Sequence, residues 1–146
     1  MKPLRNLVLI LGDQLDLESN ALKDFNPAQD RVLMIEAQGE AKYVWSHKAR
    51  IAIFLSAMRH FAQDLVTRNI PVDYKKIDNN QYVTFSEALE ATLQESRPRK
   101  LIVVQPGEWR MLNIIRAACK KHTVELALRD DGHFFIAPTE FAEWAK

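Results

Sequence analysis

Five short runs of aliphatic and β-branched residues alternate with longer segments of helical periodicity, and this alternation is what most limits the fold. The runs are Leu7–Leu11, Val32–Ile35, Val72–Ile77, Leu101–Val104 and Val124–Leu128. Short apolar runs separated by amphipathic helices are typical of α/β proteins, in which a helix carries the chain from one parallel strand to the next. We predict a Rossmann-like open parallel sheet of five strands in the order 3-2-1-4-5, with helices on both faces.

The segments between the strands predict four helices. The longest spans about residues 41–68, the second begins at Thr84 or Ser86, the third runs from Glu108 to Lys121, and the last follows Pro138. Trp109 falls on the apolar stripe of the third helix, which favours a core position over a stacking role. The stretch Ile51–Leu55 is apolar all round, so we expect it to be sandwiched within the domain; the alternative is that a partner domain covers one side.

Length and composition narrow the class of protein. With 146 residues and a net charge of +1, the chain suits a single α/β domain, 1–146, and lacks the basic excess that a nucleic-acid-binding surface needs. Cys119 is the sole cysteine, which excludes an internal disulfide and fits a reducing, cytoplasmic compartment. No apolar run approaches the roughly 20 residues of a membrane span, so no membrane association is predicted.

The predicted strand order indicates where a ligand would bind. The chain reverses direction between strands one and four, and ligands of such sheets bind at the carboxyl ends of the strands on either side of that reversal. The loop after the first strand holds Gly12, Asp13 and Gln14. Gly12 permits a sharp turn or close approach to a ligand, and Asp13 and Gln14 supply hydrogen-bonding groups. A plain turn in which Asp13 caps the next segment explains these residues equally well.

Two further loops belong to the same predicted edge. After the fourth strand, Gly107 permits a positive φ and Glu108 opens the next helix, although a turn and a helix cap account for both residues. After the second strand come Glu36 and Glu40. Glu40, Tyr43 and His47 would share one side of a helix, an acid–aromatic–imidazole arrangement that could face the crevice. The alternative for this loop is an acid at a helix N-terminus and a surface histidine.

Several motifs of catalysis and cofactor binding do not occur in the sequence. It contains no G-x-G-x-x-G, no P-loop, no G-x-S-x-G, no paired cysteines and no H-E-x-x-H. The four histidines are too scattered to propose a metal site. We therefore assign no catalytic residue and no metal ligand from the sequence.

Four motifs in register resemble the N-terminal domain of deoxyribodipyrimidine photolyase-related proteins, the bacterial iron–sulfur cryptochromes and photolyases. They are Leu9-Ile10-Leu11-Gly12-Asp13-Gln14-Leu15, Glu40-Ala41-Lys42-Tyr43-Val44 with His47-Lys48, Phe54–Ala62, and Pro106-Gly107-Glu108-Trp109-Arg110. The resemblance continues through Asp130-Asp131 and Phe134 to Glu140–Ala145, so it covers essentially the whole chain.

The resemblance implies a function. In that family the domain holds an antenna chromophore, commonly 6,7-dimethyl-8-ribityllumazine, and passes excitation to FAD in a C-terminal helical domain, which also carries a four-iron cluster and meets DNA. By matched position, Asp13, Glu40 and Gly107 would contact the chromophore. Two alternatives remain open from the residues alone: a free-standing nucleotide- or flavin-binding module, and an acid–base enzyme using Asp13, Glu36 or Glu40 with His47.

Overall fold

The computed structural model describes residues 4–37, 47–79 and 82–146. Its sheet has five parallel strands, β1 (Asn6–Leu9), β2 (Asp30–Ile35), β3 (Val72–Lys75), β4 (Lys100–Val104) and β5 (Glu125–Arg129). The strands pair in the order β3-β2-β1-β4-β5. The predicted fold class and strand order are therefore confirmed, and β3 lies at one edge of the sheet.

Four α-helices connect or follow these strands in the described residues: α1 (Lys48–Thr67), α2 (Phe85–Ser96), α3 (Trp109–His122) and α4 (Pro138–Trp144). A 3-10 turn, Asn20–Leu22, follows β1. Thr84 caps α2 through a capping box with Glu87, which explains where that helix begins. No helix in the described ranges is both long enough and apolar enough to cross a membrane.

Helices cover both faces of the sheet because the inner strands are apolar on both sides. Alternate residues of β1, such as Leu7 and Leu9, pack with the buried residues of α2 and α3. The residues between them, such as Val8, pack with the buried side of α1, where Met58 and Leu65 are among the contacts. A parallel sheet buried on both faces is the arrangement that continuous aliphatic strands favour.

Two packing predictions are wrong. Trp109 is 69% exposed, with the guanidinium of Arg116 5.7 Å from its ring centre. As the first residue of α3, it lies beyond the buried strand residues, which end at Val104. The stretch Ile51–Leu55 is not sandwiched: Ile53 is 71% exposed, because the sheet covers only one side of α1 and no other described element covers the opposite side.

Candidate binding cleft at the carboxyl ends of the strands

A small cleft of about 50 Å³ opens at the carboxyl ends of β1, β4 and β5. It lies beside the β1–β4 pair, where the strand order reverses and where ligands of such sheets bind. Its lining comes from the loop after β1, the end of β4 and the loop after β5: Asp13, Gln14, Asp16, Glu18, Ser19, Asn20, Val104, Asp131, Gly132 and His133. Two predicted site residues, Asp13 and Gln14, are among them.

Gln14 fixes the loop after β1 to the end of β4. Its Nε2 donates to the carbonyl oxygens of Val104 and Gln105, each at 3.3 Å. Its backbone N–H donates to the Leu11 carbonyl at 3.0 Å, which closes the turn. The side chain therefore joins the two loops that the sequence singled out, while Asp13 beside it is exposed at the mouth of the cleft.

Gly12 leaves room for side-chain packing beneath this loop. A β-carbon at position 12 would lie 2.5 Å from Cζ of Phe54 and 2.8 Å from Sδ of Met58. Both side chains belong to α1, so the absence of a side chain at Gly12 lets the helix approach the end of β1. The close approach predicted for Gly12 is thus to α1 in this structure.

The cleft is acidic. Asp13, Asp16, Glu18 and Asp131 contribute carboxylates, and no lysine or arginine is among the described residues that line it. Asp16 also accepts a hydrogen bond from the Glu18 backbone N–H at 2.9 Å, which shapes the loop. Such a lining repels anions and offers acceptors to hydroxyl, amine or amide hydrogens.

His133 is the basic group of the cleft. Its Nδ1 lies 2.9 Å from Oδ1 of Asp131, and its Nε2 lies 3.9 Å from Oδ2 of Asp16. The hydrogen bond with Asp131, with further attraction from Asp131 and Asp16, raises the pKa of His133 above its usual value. The His133 backbone N–H, followed by its side chain, lowers the pKa of Asp131.

The site predicted from the sequence does not include the loop after β5, which the structure places at the cleft. Asn20 Nδ2 donates to the Asp130 carbonyl at 2.7 Å, which ties this loop to the segment after β1 although 110 residues separate them. The signal was available in the sequence: Asp130-Asp131-Gly132 follows a predicted strand, and parallel neighbours end at the same edge of a sheet.

Glu36 lies elsewhere, in a buried network at the ends of β2 and β3. Its Oε1 accepts from Arg59 Nε at 2.9 Å and from the Tyr74 hydroxyl at 2.5 Å. Its Oε2 accepts from Arg59 Nη2 and the Ile77 N–H, both at 2.9 Å. These four bonds fill the acceptor positions of a carboxylate, so Glu36 joins α1 to the sheet edge and does not line the cleft.

Burial pushes the pKa of Glu36 up, but the hydrogen bonds from Arg59, Tyr74 and Ile77 outweigh it, so the pKa lies below its usual value. Burial and the hydrogen bond to Glu36 raise the pKa of Tyr74. The network therefore keeps Glu36 ionised and Tyr74 protonated at neutral pH.

The other predicted site residues do not line the cleft in the described structure. His47 caps α1, its Nδ1 accepting from the Ala49 N–H at 3.2 Å. Glu108 precedes α3 and pairs with Arg110 at 2.7 Å. Gly107 is exposed, has open space around it and does not use the positive φ that glycine permits. Glu40 lies outside the described residues.

A metal centre has no counterpart in the parts of the chain that the structure describes, since no three His, Cys, Asp or Glu residues converge there in a way that could hold an ion. The groups in the cleft are suited to binding a ligand through hydrogen bonds. It presents carboxylate acceptors, one histidine and loops held together by hydrogen bonds from Gln14 and Asn20.

Comparison with known proteins agrees with the resemblance. The family model for deoxyribodipyrimidine photo-lyase-related proteins matches residues 8–146. A (6-4) photolyase from Agrobacterium fabrum is 35% identical over 140 residues, which are 95% of this chain and 28% of that protein. The chain thus spans less than a third of the curated relative that it matches. Because the match covers nearly the whole sequence, this chain belongs to the deoxyribodipyrimidine photolyase-related family.

Proposed function

We propose that this chain is the antenna-chromophore-binding domain of a photolyase-type flavoprotein. It holds a ribityllumazine such as 6,7-dimethyl-8-ribityllumazine at the cleft formed by β1, β4 and β5. Family membership and the position of the cleft at the strand reversal support this function. The observation that carries it furthest is the acidic lining of that cleft.

The lining distinguishes between the classes of ligand that an α/β crevice binds. Phosphate groups of nucleotides and of FAD are bound by backbone N–H groups at a helix N-terminus, by glycine-rich loops or by Lys and Arg. Here Asp13, Asp16, Glu18 and Asp131 would repel a phosphate. The hydroxyl groups of a ribityl chain instead donate to carboxylates, so a neutral ribityl compound suits the cleft better than a nucleotide.

The size of the cleft limits which part of a ligand it can enclose. A volume of about 50 Å³ is far below the several hundred Å³ that usually enclose a ligand with a ring system. The cleft accommodates a slender chain, and in our proposal the ring system packs outside it, at the mouth beside Asp13. By the resemblance, Glu40 and Gly107 would also contact the chromophore.

We further propose that the chain works beside a flavin-bearing region, where FAD, the four-iron cluster and contacts with DNA would reside. The described surface has many exposed large apolar side chains, which include Ile53, Phe54, Val66, Val83, Trp109, Phe134, Phe135, Ile136, Phe141 and Trp144. Phe141 and Trp144 among them lie side by side, with their ring centroids 5.8 Å apart, and adjoining exposed apolar side chains are typical of surfaces that contact other proteins. Excitation transfer requires a fixed distance and orientation between the two chromophores, and no acid, base or nucleophile from this chain.

No observation favours the acid–base enzyme. The acceptor positions of Glu36 are occupied, and the Nδ1 atom of His47 is used to cap α1. Neither residue lines the cleft that contains Asp13.

Gel filtration after incubation with ligand tests the proposal. The chain is incubated separately with 6,7-dimethyl-8-ribityllumazine and with FAD, and the absorption spectrum of the protein peak is recorded. We expect retention of the lumazine, little retention of FAD, and loss of lumazine in Asp13→Ala. Asp64→Ala, at an exposed position of α1 away from the cleft, serves as the control. Retention of FAD without lumazine would overturn the proposal.

A further inference from the structure

Phe54 covers Gly12, the residue whose missing side chain permits the close approach of a ligand to the end of β1. A β-carbon at position 12 would lie 2.5 Å from Cζ and 2.6 Å from Cε1 of Phe54, so the aromatic ring rests against the backbone there. Gly12 is followed by Asp13 and Gln14, which line the cleft at the strand reversal. A side chain of the domain itself therefore occupies the space next to the cleft.

The cleft beside this contact is too small for a ring system. Its volume of about 50 Å³ accommodates only a slender chain, so the ring of a ribityl compound must pack against a neighbouring surface. The backbone of Gly12 is such a surface, because it adjoins Asp13 at the mouth of the cleft and carries no side chain. This inference rests on the proposed function, since it concerns where the ring of that compound packs.

The surface beneath Phe54 suits a flat ring. Sδ of Met58 would lie 2.8 Å from a β-carbon at position 12, so the thioether adjoins the same place as the glycine backbone. Sulfur makes favourable contacts with aromatic rings, and glycine lets a ring approach the backbone closely. Met58 is buried, whereas Phe54 is 46% exposed. The floor of this surface is therefore fixed, and the ring above it is the part that can move.

Phe54 has room to leave Gly12. Aromatic side chains in a helix have two common χ1 rotamers, and exposed side chains change rotamer rapidly. Arg50 and Ala57, about one turn before and after Phe54 in α1, are both exposed, and Ala57 carries only a methyl group. A rotation of the ring towards solvent leaves the buried side of α1 unchanged, since Phe54 is not among the residues that form it.

We propose that Phe54 is a gate over the surface that binds the ring of the ligand. The ring of Phe54 turns away from Gly12, and the ring of the ligand takes its place against Gly12 and Met58 while the ribityl chain enters the cleft. One aromatic ring replaces another, so apolar contact at Gly12 is retained. Phe54 therefore competes with ring compounds and does not compete with a polyhydroxyl chain alone.

The experiment measures dissociation constants of the unmodified chain, Phe54→Ala and Phe54→Leu for three ligands. They are 6,7-dimethyl-8-ribityllumazine, riboflavin, which carries the ribityl chain on a different ring, and ribitol, which is the chain without a ring. Fluorescence titration serves for the two ring compounds and nuclear magnetic resonance for ribitol. Ile53→Ala, at the adjacent exposed residue on the outer face of α1, is the matched control. Circular dichroism establishes that each variant is folded, and Phe54→Leu retains an apolar side chain at this position.

We expect Phe54→Ala to bind both ring compounds about tenfold more tightly than the unmodified chain, because the competing ring is removed. Phe54→Leu should gain less, and Ile53→Ala should not gain. Affinity for ribitol should be the same in all four proteins. Unchanged affinity of both Phe54 variants for the ring compounds would overturn the gate. An equal gain for ribitol would also overturn it, since that gain would come from a general loosening of the loop after β1.

The gate and the antenna function can fail separately. Tighter binding of riboflavin by Phe54→Ala, with no binding of lumazine by any variant, would support the gate and overturn the antenna function. Binding of lumazine with the same affinity in the Phe54 variants and the unmodified chain would support the antenna function and overturn the gate. Binding of neither ring compound by any variant would overturn both.

Discussion

The ring of Phe54 lies directly over Gly12, so that a β-carbon at position 12 would come within 2.5 Å of Phe54 Cζ. Met58, one helical turn further along α1, approaches the same position to 2.8 Å. Phe54 is half-exposed while Met58 is buried. This contact joins α1 to the turn that carries Asp13 and Gln14, so packing at Gly12 sets the position of the loop after β1.

Gly12→Ala should destabilise the fold by about 1–3 kcal/mol, because the added methyl group displaces Phe54 and Met58. Phe54→Leu should relieve part of the clash, so the double variant should be more stable than the sum of the two single changes predicts. Urea unfolding of the four proteins gives this coupling. Strict additivity would contradict the contact.

Glu36→Gln should cost about 2–3 kcal/mol, since it removes the charge on which four hydrogen bonds converge in a buried position. Tyr74→Phe, which removes a single hydroxyl from the same network, should cost about 1 kcal/mol. Chemical denaturation at neutral pH measures both. An equal decrease in the free energy of unfolding for both variants would show that the charge of Glu36 does not add to the stability of the network.

The contribution of Glu36 should depend on pH. Its folded pKa lies below the ordinary value of 4.5, so its ionised form stabilises the fold above that value and the stabilisation is lost as pH falls through the folded pKa. Glu36→Gln cannot titrate at this position. The stability difference between the unmodified chain and Glu36→Gln should therefore narrow in acid, and a constant difference down to about pH 3 would be inconsistent with the network.

Neutralising the cleft should weaken its discrimination against phosphate. Riboflavin and FMN differ by one phosphate group, and the unmodified chain should bind riboflavin more tightly. The triple change Asp13→Asn, Asp16→Asn and Glu18→Gln keeps acceptors but removes three charges, so the preference should shrink by about tenfold or more. Fluorescence titration measures it, with Asp64→Asn and Glu95→Gln, exposed acids outside the cleft, as the control. An unchanged preference would refute the electrostatic argument.

Cys119 should react slowly with thiol reagents in the native protein. It is 3% exposed, and burial raises the pKa of its thiol to about 11. Because it is the sole cysteine, a colorimetric thiol assay reports on it alone. The reaction rate should rise strongly in denaturant, and equal rates in native and unfolded protein would show that α3 does not protect the thiol.

The sheet could be predicted from the sequence because its signal is local. Runs such as Leu101–Val104 are apolar throughout, as strands buried on both faces are, and the rules of parallel connections then favour one strand order. That order located the edge where Asp13 and Gln14 line a cleft. Trp109 shows the limit of periodicity, which cannot tell that the first turn of a helix extends past the end of the sheet.

The roles of individual polar residues could not be predicted in the same way because their partners are distant in the chain. Glu36 follows a strand as a ligand-binding acid would, yet Arg59 and Tyr74, which are 23 and 38 residues away, occupy its acceptor positions. His133 lies at the cleft because β5 pairs with β4 and because Asn20 donates a hydrogen bond to Asp130 in the loop after β5. The contacts of Glu36 leave no local pattern in the sequence, whereas the loop that carries His133 could have been placed at this edge from the strand that it follows.

Mapping the bound ligand by nuclear magnetic resonance tests the central claim most directly. Amide chemical shifts of the labelled chain are recorded as 6,7-dimethyl-8-ribityllumazine is added. We predict saturable changes centred on Asp13, Gln14, Asp131 and His133, the residues that surround the cleft at the strand reversal. Saturable changes centred instead on the outer face of α1, at Ala52, Ile53 and His60, or no changes at all, would contradict the assignment.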